Sequence, residues 1–142
     1  MADPSKPKPP SVVELIWEHD LVFGGKTGDI RMTLDSASAA GPSPMQLLAL
    51  ALAACMAMDV VHILRKSRQD LRGLKADLTG HRAQQEPRRF TSIGLHYTIT
   101  GDIPDEQVQR AIDLSRDKYC SVWHSMRQDI ELNVTFEVMT AV

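Results

Sequence analysis

Cysteine is nearly absent from these 142 residues: only Cys55 and Cys120 occur. Two cysteines are too few for a disulfide-built secreted scaffold, yet enough for one redox pair. No excess of basic charge is present either. Lys plus Arg is 16 against 18 for Asp plus Glu, a formal net charge of -2, which argues against a nucleic-acid or membrane-surface partner. No apolar segment of the kind that forms an export signal follows the N-terminal residues, so the expected location is the cytoplasm. There is no internal repeat, and low complexity is confined to residues 1–10. That stretch holds four of the eight prolines and reads as a disordered or extended tail. Residues 11–142 are expected to form one domain, a length that supports a sizeable core without metal or disulfide.

One long apolar run is present. Met45 to Leu64 is long enough to cross a bilayer, but it carries Gln46, Asp59 and His62 among many small alanines. Polar groups are costly at membrane depth, so a core helix of a globular protein or dimer is the better reading. Ser43 suits its N-cap and Pro44 its first position. Arg65, Lys66 and Arg68 suit the negative end of its dipole, and the helix is expected to reach about Gln69.

Strands are expected over Val12 to Trp17 and Leu21 to Phe23, with Ile30, Met32 and Leu34 in another. Gly24-Gly25-Lys26-Thr27-Gly28 lacks the spacing of a phosphate loop and precedes no helix, so it reads as a hairpin turn. Leu74 to Leu78 and Ile93 to Ile99 alternate as a second hairpin around a polar loop from Gln84 to Arg89. Pro104-Asp105-Glu106 opens a second helix, a short helix carrying Val122, Trp123 and Met126 follows, and Leu132 to Val138 alternates as a last strand. Strands in runs predict an α+β fold with antiparallel pairing.

Each cysteine alone reads as a small core hydrophobe. Reactivity requires thiolate, and a free thiol near its reference value is only about 3% ionised at pH 7. Asp59, one turn beyond Cys55, disfavours a neighbouring thiolate, so a cation from elsewhere is needed. Lys26, Arg31 and the basic run from Arg65 to Lys75 are candidates. His124, four residues after Cys120, reaches that sulfur only if a helix continues. Asp59 on a buried helix demands a partner, with His62 or an arginine expected. The ligand spacings of a structural zinc site are missing. No metal or other cofactor is expected.

The segments Pro42 to Leu47, Ala53-Ala54-Cys55 and Asp59-Val60-Val61 together resemble the central helix of the OsmC/Ohr family. Lys118-Tyr119-Cys120-Ser121-Val122 is similar to that family's second cysteine motif. Ile63 to Asp70 and the strand at Phe90-Thr91 look like its YhfA-like branch. The resemblance implies antiparallel sheets around a long central helix in an intertwined homodimer. It also implies thiol-dependent reduction of small organic hydroperoxides. Cys55 would be the peroxidatic thiolate and Cys120 its disulfide partner, with an external dithiol as reductant. Typical members support the thiolate with an arginine after a Gly-Gly pair and a glutamate ten residues before the first cysteine. Lys26 and Met45 occupy those places here, with Gln46 beside the latter. Lysine keeps the charge without the planar fork, so turnover is expected to be weak at neutral pH and to rise toward pH 8–9. The alternative is a non-peroxidase dimer that binds a small apolar ligand.

Overall fold

The computed structural model describes residues 4–140. The first three residues of the expected tail lie outside this range; residues 4–13 carry no strand and are exposed. The described chain forms two compact units, with the boundary between Leu47 and Leu48.

The first unit holds a three-stranded antiparallel sheet, β1 (Glu14–His19), β2 (Val22–Thr27) and β3 (Ile30–Asp35), in that order. Gly24 and Gly25 were expected in a turn but lie within β2, where Gly25 pairs with both Leu15 and Met32. Their missing side chains leave room for neighbours: a Cβ at Gly24 would meet the Glu18 carboxylate at 3.0 Å, and one at Gly25 would meet Leu34 at the same distance. The chain reverses instead at Gly28, whose φ of 58° is the left-handed conformation glycine adopts without strain.

After β3 the buried Asp35 organises the approach to the long helix. Its carboxylate accepts the N–H groups of Ala37, Ala39 and Ala40 at 2.9, 3.2 and 2.9 Å. Those bonds, Ala40 and Ala37 foremost, hold the carboxyl below the usual carboxylate range. Helix α1 (Pro44–Lys66) then starts on a capping box. The Gln46 N–H donates to Ser43 Oγ at 3.2 Å, and the Ser43 N–H donates to Gln46 Oε1 at 2.9 Å.

Most of α1 belongs to the second unit. It ends at Lys66, short of Gln69, because Arg68 turns left-handed with φ 59°. The Gln69 N–H then bonds the Leu64 carbonyl and the Arg68 N–H the Arg65 carbonyl, which satisfies two orphan acceptors. Leu52, Met56, Val60 and Leu64, four residues apart, are fully buried as one row. Each contributes roughly 1.5–3 kcal/mol of burial.

The second sheet has the order β4 (Asp70–Arg82), β5 (Phe90–Asp102), β6 (Glu131–Met139), so β5 is central. Its alternate residues Ile93, Leu95, Tyr97 and Ile99 are buried, as the sequence pattern predicts. The Tyr97 hydroxyl donates to the Ala53 carbonyl at 3.1 Å and ties this face to α1. β4 and β5 are antiparallel, but β5 and β6 are parallel, which corrects the expectation of antiparallel pairing throughout. The physical reason is the crossover between them. The chain leaves the far end of β5 through α2 (Asp105–Leu114), a π-helical turn (Ser115–Tyr119) and the short α3 (Ser121–His124), and crosses back so that β6 starts beside the start of β5.

α1 is the one helix among the described residues long and apolar enough to cross a membrane. The hydrogen bond from Tyr97 and the buried row are what a core helix shows.

Asp35→Ala removes an acceptor for three backbone donors and is expected to lower the melting temperature at pH 7 by a few degrees. The native carboxyl sits below its unfolded value, so its stabilisation is present above about pH 4 and fades below it. Thermal melts from pH 7 to pH 3 should show the gap between wild type and Asp35→Ala closing on the acid side.

Candidate functional site

Cys55 lies on α1 just beside the fully buried row, three residues after Leu52, and is therefore half-buried. Cys120 arrives from the opposite direction. Helix α2 buries Val108, Ala111 and Ile112 and then widens into the π turn, which the Cys120 N–H closes on the Ser115 carbonyl at 2.7 Å. Cys120 is the N-cap of α3: its sulfur accepts the Trp123 N–H at 3.4 Å. It is fully buried.

The two thiols are within hydrogen-bonding reach of one another, and both are free. Burial pushes the Cys120 thiol up to about 11. The Trp123 N–H pulls it back, while hydrogen bonding and charge at Cys55, and the charge of Asp59, add to the rise. Tyr97 feels the same surroundings: burial first, then Cys120, Asp59 and Cys55, hold its phenol above the ordinary value.

The partner of Asp59 is neither His62 nor an arginine. The fully buried Ser115 donates its hydroxyl to Asp59 Oδ2 at 2.8 Å. No sequence spacing marks this pair, because the two residues stand 56 positions apart. Asp59 also borders a cleft of about 570 Å³ lined by His62, Lys66, Arg110 and Tyr119.

The other expected residues have partners of their own. The His124 imidazole is hydrogen-bonded to the Arg116 carbonyl at 2.9 Å; the helix expected to continue through Cys120 is interrupted there, where Cys120 is extended with ψ 98°. Gln46 serves the start of α1: its Oε1 also accepts the Ser38 hydroxyl at 2.9 Å. Lys26 stands on the charged face of the first sheet with Glu14, Glu18 and Arg31. Among the described residues no group of three or more His, Cys, Asp or Glu side chains is placed to hold a metal ion.

This arrangement, two adjacent thiols with one half-open and one sealed, sits in a fold with known relatives. The family model described as OsmC-like protein matches residues 36–135. Protein YhfA of Escherichia coli strain K12 is 39% identical over 124 residues, covering 87% of this chain and 85% of that protein. A hypothetical protein from Aquifex aeolicus VF5 superposes with a TM-score of 0.88 at 30% identity, over 95% of this chain and 100% of that one. An organic hydroperoxide resistance protein OsmC from Legionella pneumophila shares the fold, with a TM-score of 0.71 at 16% identity over 94% and 100% of the two chains. The chain belongs to the OsmC family, as its cysteine motifs suggested.

The unequal burial predicts unequal reactivity. With its thiol near 11, about one Cys120 in a thousand is ionised at pH 8. Iodoacetamide at pH 8 should label Cys55 first, with Cys120 modified at least tenfold more slowly until the protein is denatured. Peptide mass spectrometry over a time course measures both.

Proposed function

We propose that the protein is an oxidative-stress thiol peroxidase that reduces small organic hydroperoxides. The observation that carries this reading is the adjacency of two free thiols, one accessible and one buried, in an OsmC-family fold. The Cys55 thiolate attacks the outer oxygen of the hydroperoxide. The S–O bond forms as the O–O bond breaks, and the alkoxide leaves as an alcohol after taking a proton. Cys120 attacks the resulting sulfenic acid, the S–S bond forms, and water leaves. An external dithiol reduces the disulfide by two exchanges and is itself oxidised to a cyclic disulfide. Such chemistry suits the cytoplasm, where thiols are kept reduced.

The working state in this proposal is a homodimer. α1 leaves Leu50 and Met58 60% and 70% exposed, and Ala54, Ala57, Met58 and Val61 line an open apolar groove of about 740 Å³. Exposed apolar surface on this scale favours a second copy. Sedimentation velocity at micromolar concentration is expected to give about twice the monomer mass; a monomer would remove this part of the proposal.

The activity test is alkyl hydroperoxide consumption with a dithiol donor. Cys55→Ser is expected to lose at least 99% of the rate, and Cys120→Ser to stop cycling after one turnover. Lys26 and Met45 replace the arginine and glutamate of typical members. Lys26→Arg with Met45→Glu should therefore raise turnover more than the two single changes combined, because each supplies the other's partner. Wild-type activity equal to that of Cys55→Ser would end the enzyme reading and leave a dimer binding an apolar ligand.

A further inference from the structure

The peroxidase chemistry uses Cys55 and Cys120 but assigns nothing to the polar pair beside them. Ser115 grips two segments at once. Its hydroxyl donates to Asp59 Oδ2 on α1 at 2.8 Å, and its carbonyl accepts the Cys120 N–H at 2.7 Å. Asp59 lies four residues after Cys55, one turn along the same helix face. The thiol pair and the Asp59–Ser115 bond therefore join the same two segments at neighbouring points.

The bond lies at the start of an uncommon element, the π turn. A π turn carries one residue more than an α-helical turn, is rare, and is found mostly as a single turn, frequently at functional sites. Here it ends at Tyr119, directly before the cysteine. The charge of Asp59 opposes a thiolate at Cys120, so promoting ionisation is not its role. A buried hydroxyl and a half-buried carboxylate are costly to desolvate, and their hydrogen bond is charge-assisted.

We propose that Asp59 and Ser115 are positioning residues whose hydrogen bond clasps the π turn to α1 and so keeps the Cys120 sulfur against Cys55, where the pair closes readily to a disulfide. The proposal rests on reading the two cysteines as a redox pair; it does not require that the oxidant be a hydroperoxide.

The test equilibrates the full chain with glutathione and glutathione disulfide. Protein dithiol and one glutathione disulfide give protein disulfide and two glutathione thiols. Ser115→Ala and Asp59→Ala are expected to lower that equilibrium constant at least tenfold, a rise of about 30 mV in reduction potential. Asp59→Asn keeps an oxygen acceptor for the Ser115 hydroxyl while removing the charge, and is expected to stay within threefold of wild type. Melting temperatures of each variant are recorded alongside, because a role in stability alone moves those and not the potential. If Ser115→Ala does not fold, the comparison of Asp59→Ala with Asp59→Asn decides. Alanine variants within threefold of wild type, or Asp59→Asn falling as far as Asp59→Ala, would overturn the clasp. A wild-type protein that forms no disulfide under any glutathione ratio would instead overturn the redox-pair reading itself.

Discussion

Burial of one row of α1 governs how the thiol site is built. Leu52, Met56, Val60 and Leu64 are withdrawn from water, and Tyr97 on the central strand bonds the Ala53 carbonyl of the same helix. Helical spacing then leaves no freedom to the residues beside that row. Cys55 and Asp59, four residues apart, run along its flank, half in and half out of solvent. The accessible thiol and the carboxylate next to it are consequences of the same periodicity that makes the core.

The second thiol is brought by different means. The crossover from β5 to β6 needs a dozen or more residues, and it spends them on α2, the π turn and α3. Cys120 sits where that path changes direction, in extended conformation with ψ 98° and its sulfur on the Trp123 N–H. The parallel pairing of β5 with β6 and the sealed position of Cys120 are thus two results of one connection. The two thiols therefore differ in access to solvent, Cys55 half-buried and Cys120 fully buried.

Much of this was legible along the chain. Ser43 and Pro44 announce the start of α1, and the alternation from Ile93 to Ile99 marks the strand that becomes the centre of its sheet. The two cysteine motifs pointed to the family. The end of α1 was less legible, because a left-handed Arg68 stops it where glycine would usually be sought. Gly24-Gly25 misled for a related reason: glycine also serves a strand wherever a neighbouring side chain needs the space.

Local pattern determined the elements, the caps and the pairing of hydrophobic positions, because those depend on residues within a few places of one another. It also singled out Cys55, Cys120 and Asp59 by type. Only the tertiary structure decided the direction of β6, the departure of His124 toward Arg116, and the choice of Ser115 over His62 or an arginine as partner of Asp59. Each of these joins residues from eight to 56 places apart or turns on how a connection crosses the sheet. Such pairings leave no periodic trace, since they follow from packing and from the need of every buried polar group to find a partner.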